Sequence, residues 1–142
     1  MASAIACPFD DACDVPVKQR FDTAANPKHA IGLTKVPLHL APPILAIEVA
    51  AVFAQSAPEY GPYNWRETKV QRSIYLDALE RHLQALKDGQ DLDEKSGRSH
   101  LAHIAANCAI LLDADAMGML VDDRPAPGPA PVVLKRNTKV VK

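Results

Sequence analysis

The chain has 142 residues, of which 48% are hydrophobic and 23% are charged, and its formal net charge is −1. This length suits one domain with flexible ends, and the near-neutral charge gives no general attraction to nucleic acid or anionic lipid. No apolar run is long enough to span a membrane, and the N-terminus lacks a basic stretch followed by an apolar signal core. We therefore expect a soluble cytoplasmic protein that binds neither nucleic acid nor membrane.

Residues 1–35 mix aspartates with prolines and show no sustained period, which predicts an extended N-terminal arm with at most short local structure. The arm contains Cys7 and Cys13, and a third cysteine, Cys108, lies in an apolar helical pattern. An odd number of cysteines without metal-site spacing indicates reduced thiols.

A first helix is predicted from Pro42, because proline is tolerated in the first helical turn, to about Pro58. It is apolar nearly all round, and Glu48 is its only charge. A carboxylate on such a helix is costly to bury unless it is paired, hydrogen-bonded or bound to a metal. The structural explanation is an ion pair with Arg66 or Arg81.

Residues 59–66 are predicted to form a loop that is dense in aromatic side chains for a chain with few of them. The rings of Tyr60 and Trp65 offer a stacking surface for a base. Asn64 offers a bidentate donor and acceptor edge, and Arg66 can bind phosphate as a fork. An exposed aromatic cluster is also typical of an oligomer contact.

A second helix is predicted from about Val70 to Lys87, closed by an Asp-Gly pair. Its polar arc carries Asp77, Glu80 and Arg81, which a solvated face with an Asp77–Arg81 ion pair would explain without a site. His82 falls on the apolar arc, where a histidine bonded to a backbone carbonyl is the common structural explanation.

A short acidic linker leads to Ser99, which is predicted to cap a third helix that ends at Met117 or Gly118. His100, His103 and Asn107 form a narrow strip between two faces of low polarity. The two histidines are one turn apart, so both imidazoles can face one point; two hydrogen-bonded histidines near a helix start are the alternative. The predicted core-facing stripe of this helix consists of Leu101, Ile104, Ala105, Cys108, Leu111 and Leu112.

Beyond this helix, residues 124–131 form a proline-rich linker, and Val132–Leu134 is the one short strand pattern. A basic tail follows, which is expected to be solvated, the alternative being that it reaches a neighbouring subunit's site. Three helices make a thin core, so we predict an all-α fold: a small helical bundle completed by homo-oligomerisation, as a dimer or tetramer, with extended N- and C-terminal arms. The basic residues are Lys135, Arg136, Lys139 and Lys142.

Carboxylates from two helices and imidazoles from a third suit a divalent metal ion held between helices, and mixed oxygen and nitrogen ligands are compatible with Mg²⁺ or Mn²⁺. Two other classes remain open: a metallohydrolase in which His100 and His103 bind Zn²⁺ or Fe, and a non-catalytic oligomeric interaction protein.

Several motifs together resemble the phage dATP/dGTP diphosphohydrolase family, a MazG-like branch of the all-α nucleoside triphosphate pyrophosphohydrolases, over residues 33–123. Within this family the chain resembles the MazZ type, which occurs in phages that replace adenine with 2-aminoadenine and is taken to supply dGMP from dGTP. The motifs are Glu59-Tyr60-Gly61-x-x-Asn64-Trp65-Arg66, Arg81-His82, Gly89-x-Asp91-x-Asp93-x-x-Ser96-Gly97 and His100-Leu101-x-His103.

The resemblance implies that a purine (deoxy)nucleoside triphosphate is cleaved between its α- and β-phosphates. It also implies Mg²⁺ or Mn²⁺ held by an E-x-x-E pair and an E-x-x-D pair on helices. Asp77-x-x-Glu80 matches the first pair, whereas His100-x-x-His103 departs from the second and leaves Glu48 or Asp93 to supply the missing carboxylate.

On this basis residues 1–35 are predicted to be an arm, residues 36–123 the pyrophosphohydrolase-like domain, and residues 124–142 a linker and tail. The predicted catalytic residues are Glu48, Asp77 and Glu80, and the same three with His100 and His103 are the predicted metal ligands. The predicted substrate-binding residues are Lys35, Tyr60, Asn64, Trp65, Arg66, Arg81, His82, Asp93 and Asn107.

Overall fold

The structure is a computed structural model that describes residues 26–138, and it is mainly helical. The chain divides into two compact units, Met1–Leu40 and Ala41–Lys142. Two short strands accompany the helices in the described part of the second unit. The predicted all-α fold class is confirmed.

In the described part of the first unit, helix α1 spans Pro27–Leu33 and a 3-10 turn spans Leu38–Leu40. Asn26 caps α1, because its side-chain oxygen accepts a hydrogen bond from the backbone N–H of Lys28 at 2.9 Å. The predictions for the first 25 residues, including the two cysteines there, lie outside the described residues.

The second unit begins with helix α2, Pro43–Tyr60, whose first residue is a proline as the sequence predicts. The helix continues past Pro58, where it was expected to end. Proline removes one hydrogen bond but still adopts helical φ, so the last turn accommodates it. Gly61 ends the helix with a φ of +84°, and its N–H donates to the carbonyl of Ala57 at 2.9 Å.

The aromatic segment turns sharply at Tyr63, which has a φ of +56°, and then forms a short helix.

The second and third predicted helices are confirmed, with their ends shifted by one or two residues. Ser99 caps the third helix, because its hydroxyl accepts a hydrogen bond from the N–H of Leu101 at 3.2 Å. The remaining elements are α3 (Asn64–Glu67), β1 (Val70–Gln71), α4 (Arg72–Lys87), α5 (His100–Ala116), β2 (Leu120–Val121) and α6 (Ala130–Asn137).

The strands β1 and β2 pair in parallel, with Val70 opposite Leu120 and Gln71 opposite Val121. The predicted strand at Val132–Leu134 is wrong, because these residues lie in α6. Three apolar residues are too short a pattern to separate strand from helix, and Leu134 with the two basic residues that follow it favours a helix. Lys135 and Arg136 are exposed at the end of α6.

Helix α5 packs against both α2 and α4, and the core between α2 and α5 consists of Val52, Ala102 and Ala106. The predicted core stripe of α5 is partly wrong, because Leu101 is 65% exposed and Leu112 is 74% exposed. Both faces of α5 are apolar, and the face with alanines is the one that lets the neighbouring backbone approach closely. Cys108 is half-buried and not in a disulfide.

Within residues 26–138, no helix combines the length and the apolar character needed to cross a membrane.

The start of α4 is held by an aspartate that follows β2. Asp123 accepts the backbone N–H of Ser73 at 2.9 Å and its hydroxyl at 2.5 Å, and so caps a helix whose own N-cap residue makes no side-chain hydrogen bond. These bonds hold the pKa of Asp123 below its usual value. A hydrogen bond from Arg124 lowers the pKa of the neighbouring Asp122 to about 2.

We therefore expect acid to weaken the folded state through these carboxylates. A carboxyl whose pKa is lower in the folded chain contributes stability above its unfolded value, 3.8, and loses it as the pH falls. The free energy of unfolding, measured with urea, should fall between about pH 4 and about pH 2. The double variant Asp122→Asn/Asp123→Asn should lose less, whereas Asp88→Asn, at the other end of α4, should behave like the parent chain. Equal acid sensitivity in all three proteins would contradict the prediction.

Candidate functional site

Three potential metal ligands from different elements converge on one point: His82 on α4, Asp93 in the loop between α4 and α5, and His100 at the start of α5. One ligand atom of each lies within 4.8 Å of the others. Within residues 26–138, no other group of three His, Cys, Asp or Glu side chains has its ligand atoms this close together. All three residues were predicted from the sequence: His100 as a metal ligand, Asp93 as a substrate residue or as the carboxylate missing from the metal site, and His82 as a substrate residue.

His100 is the most unusual member of the group, because its imidazole is buried and only half satisfied. The residue is 5% exposed, and its Nδ1 lies 2.8 Å from Nδ1 of His82. Its Nε2 is buried and has no hydrogen-bond partner. An unpaired buried nitrogen is costly, so the hydrogen bond to His82 leaves the imidazole of His100 only partly satisfied. His82 likewise bonds to another imidazole, not to a backbone carbonyl.

The loop that carries Asp93 is folded tightly by its own backbone. The N–H of Asp93 donates to the carbonyl of Arg98, and the N–H of Gly97 donates to the carbonyl of Asp93, both at 2.8 Å. Gly97 has a φ of +67°, which glycine adopts without strain. The N–H of His100 donates to the carbonyl of Asp91 at 3.0 Å, so this loop and the start of α5 are joined. The Asp-x-x-Ser-Gly motif therefore brings the carboxylate of Asp93 to the two imidazoles.

His103 lies beside this group but is not one of its three members. Its ring stacks on that of His82, with centroids 4.5 Å apart and an interplanar angle of 13°. Its Nε2 lies 2.8 Å from Oγ of Ser96 and 3.9 Å from Oδ2 of Asp93. Asn107, one turn further on, donates from Nδ2 to the carbonyl of His103 at 2.9 Å.

The charge states in this group favour metal binding. Burial lowers the pKa of His82 below its usual 6.5, and the neighbouring imidazoles add to the effect. Burial also lowers the pKa of His103, against the opposing charge of Asp93. Hydrogen bonding from Ser96 holds the pKa of Asp93 below its usual 3.8. At neutral pH His82 and His103 are therefore neutral and Asp93 is ionised, and these are the forms that bind metals.

The donor set fits a transition metal better than it fits Mg²⁺. Imidazole nitrogen suits ions such as Zn²⁺ and Fe²⁺, whereas Mg²⁺ prefers oxygen ligands and retains several waters. Two imidazoles and one carboxylate leave further positions for water or substrate. Of the two ions expected from the sequence, Mn²⁺ is the transition metal.

The three carboxylates predicted to be catalytic lie outside this group. Glu48 is half-buried on α2, and Asp77 and Glu80 are exposed on α4. Among the described residues, Glu48 forms no ion pair with Arg66 or Arg81, nor does Asp77 with Arg81. Asp77, Glu80 and Arg81 line a shallow surface pocket together with Gln84. Glu80 accepts a hydrogen bond from Gln84 and lies 4.0 Å from Nζ of Lys87.

Hydrogen bonds to Asp113, a residue that was not predicted from the sequence, join the aromatic segment to α5. Trp65 is 8% exposed, and its Nε1 donates to Oδ2 of Asp113 at 2.7 Å. Arg66 donates from Nε and Nη2 to the same carboxylate at 2.6 and 2.8 Å. The ring of Trp65 packs against Phe53 and Tyr63, with centroids 5.2 and 5.4 Å away. In this arrangement the guanidinium fork faces Asp113.

The remaining predicted substrate residues are dispersed. Tyr60 is exposed at the end of α2, and Asn64 is half-buried at the start of α3. Lys35 belongs to the first unit. These roles stay predictions.

Comparison with known proteins gives two matches. Residues 25–124 match a family model described as "dATP/dGTP diphosphohydrolase, N-terminal". A curated protein of Salmonella phage PMBT28, named dATP/dGTP diphosphohydrolase, is 40% identical over 72 residues, which cover 51% of this chain and 24% of the relative. The chain thus spans about a quarter of the length of that relative. No solved structure matches. Because the family model covers more than half of the chain, including the His82, Asp93 and His100 group, the chain belongs to the phage dATP/dGTP diphosphohydrolase family, in the part that corresponds to the N-terminal model.

Proposed function

We propose that the chain is a metal-dependent (deoxy)nucleoside triphosphate pyrophosphohydrolase that converts a purine substrate, with dGTP foremost, to the monophosphate and pyrophosphate. The observation that carries the proposal is the convergence of one ligand atom each from His82, Asp93 and His100. The phage relative is named for dATP and dGTP, and this supports the choice of purine deoxynucleotides as substrates. The narrower assignment to the MazG-like branch, and to phages that replace adenine with 2-aminoadenine, rests on the sequence resemblance.

In this proposal, His82, Asp93 and His100 hold a divalent ion. The chemistry that such an ion supplies is neutralisation of triphosphate charge and a lower pKa for the attacking water. We assign Glu48, Asp77 and Glu80 to the acceptance of the water proton or to further metal ligation. This water attacks the α-phosphorus, the bond to the bridging α–β oxygen breaks, and pyrophosphate leaves.

Basic side chains are proposed to bind the phosphates of the substrate. Arg81 is exposed on α4 next to His82, and Lys35 stays a candidate from the sequence. Arg66 must leave Asp113 before its fork can reach a phosphate, so we place it as a residue that changes partner when substrate binds. His103 is proposed to orient the metal ligands or to add to them. Nucleoside positioning is assigned to Tyr60, Asn64, Trp65 and Asn107.

A nucleotide panel tests the proposal. The full chain, incubated with each dNTP and NTP and with Mg²⁺ or Mn²⁺, should release pyrophosphate and a purine monophosphate. Glu48→Gln and Asp77→Asn should each abolish this release while the helical circular dichroism signal stays intact, and Glu94→Gln in the exposed loop serves as the control. Near-full rate in either variant would remove that residue from the mechanism. No turnover with any nucleotide would favour a non-catalytic oligomeric phage interaction protein.

The donor set also favours a second candidate, a His-ligated metallohydrolase of another class that uses Zn²⁺ or Fe. Its specific support is the pair of imidazoles, since both ions accept nitrogen ligands readily. Metal content of the purified protein and the identity of the product separate the two: orthophosphate, or turnover of a non-nucleotide ester alone, points to this class.

The proposed active form is a homo-oligomer, a dimer or a tetramer, of residues 36–123. The described part of the second unit buries few large apolar side chains, and several on α2 and α5 are exposed by half or more. Covering that surface with a second copy would complete the helical bundle. The exposed residues are Ile44, Leu45, Ile47, Leu101 and Leu112.

A further inference from the structure

Ser96 links the elements that surround the candidate metal ligands. Its backbone N–H donates to Oδ2 of Asp93 at 2.9 Å. Its hydroxyl oxygen lies 2.8 Å from Nε2 of His103 and accepts the N–H of Arg98 at 3.2 Å. Its carbonyl accepts a hydrogen bond from Nε2 of Gln55, on α2, at 3.2 Å. One small half-buried residue thus contacts a ligand, a neighbour of the ligands and a second helix.

The contact with His103 reaches a second ligand through ring stacking. His103 stacks on His82 at a centroid distance of 4.5 Å, so the hydrogen bond that fixes the ring of His103 also restricts the ring of His82. His82 in turn lies 2.8 Å from His100, nitrogen to nitrogen. Ser96 is therefore in direct contact with Asp93, two contacts away from His82 and three contacts away from His100.

We infer that Ser96 is a positioning residue for the metal site, holding Asp93 through its backbone and His82 through its hydroxyl and the stacked ring of His103. The inference rests on the metal site of the proposed function. Ligating carboxylates and imidazoles in metal sites are commonly oriented by such outer hydrogen bonds, and their loss lowers metal affinity by about 10- to 100-fold. His103 acts here as the intermediary between Ser96 and His82.

The experiment measures metal affinity and turnover separately on the full chain. Chelator-treated parent and Ser96→Ala proteins are titrated with Mn²⁺ by calorimetry and with Co²⁺ by visible absorption, which reports the coordination geometry. Ser96→Ala removes the hydroxyl contact and keeps the backbone bond to Asp93. We expect one ion per chain in the parent and an affinity about 10- to 100-fold lower in Ser96→Ala, with an altered Co²⁺ spectrum. Ser96→Thr keeps a hydroxyl and should restore both.

The matched control is Ser99→Ala, which removes the cap of α5 and none of the contacts around Asp93. It should lower the melting temperature of the metal-free protein and leave Mn²⁺ affinity within about twofold of the parent, since capping acts on helix stability. If Ser96→Ala does not fold, Gln55→Ala takes its place, because it removes the anchor of the loop on α2 and should also weaken Mn²⁺ binding.

The outcomes separate the two claims. If the parent protein binds Mn²⁺ and Co²⁺ no better than a His100→Ala variant does, then these residues do not form a metal site, and the inference about Ser96 fails with it. Parent protein that binds one ion, while Ser96→Ala binds it with equal affinity and an unchanged Co²⁺ spectrum, overturns the role of Ser96 alone. Metal binding that depends on Ser96 without nucleotide turnover supports the inference and contradicts the proposed activity.

Discussion

Asp93→Asn should abolish pyrophosphate release from dGTP and dATP while the chain keeps its helical content. The side chains of Asp and Asn have almost the same shape, and an amide oxygen can still accept the N–H of Ser96, so the tight turn persists. What disappears is the ionised oxygen that faces His82 and His100. Because outer-shell changes already lower metal affinity by about 10- to 100-fold, loss of a charged ligand should exceed that range.

The matched control for this variant is Asp91→Asn. Asp91 is exposed in the same loop, and it is its backbone carbonyl, not its side chain, that accepts the N–H of His100. The control should therefore keep both turnover and Mn²⁺ affinity. Full activity in Asp93→Asn, or an equal loss in both variants, would show that the carboxylate of Asp93 does not bind the ion.

Trp65→Ala should be the most destabilising single change in the aromatic segment. Trp65 is 8% exposed, packs against Phe53 and Tyr63, and donates a hydrogen bond to Asp113 on α5. Truncation of a buried aromatic side chain to alanine lowers the free energy of unfolding by about 3 to 5 kcal/mol. Urea unfolding followed by circular dichroism measures this change.

Two further variants give the prediction its controls. Trp65→Phe keeps most of the packed ring and loses the Nε1 hydrogen bond, so its loss should be smaller, about 1 kcal/mol. Tyr60→Ala removes an aromatic side chain that is 60% exposed, and it should leave stability nearly unchanged. If Trp65→Ala unfolds at the same urea concentration as the parent, the packing described for α3 is not what holds this segment.

The helices could be predicted because local signals mark their ends. Proline starts α2, Ser99 caps α5, and a glycine follows both α4 and α5. The buried face of α5 could not be predicted in the same way, because both of its sides are apolar. Which side is buried depends on α2 approaching the small residues Ala102 and Ala106, and this is a tertiary contact without a periodic signature.

The candidate site was predictable in its residues and not in its grouping. The histidines stood out because they interrupt an apolar helical pattern, and Asp93 stood out in the loop motif. That His82 and not His103 joins His100 depends on how α4 packs against α5, a tertiary contact that the spacing of residues does not report. Asp113 carried no signal, since a single aspartate near a helix end is ordinary in sequence, yet it receives three hydrogen bonds from Trp65 and Arg66.

The central claim is that water attacks the α-phosphorus of a purine deoxynucleoside triphosphate, and isotope labelling tests it most directly. The full chain is incubated with dGTP and Mn²⁺ in ¹⁸O-labelled water, and the products are separated and weighed by mass spectrometry. The account predicts dGMP with one ¹⁸O atom and unlabelled pyrophosphate. Label in pyrophosphate, release of orthophosphate, or unchanged dGTP would contradict it.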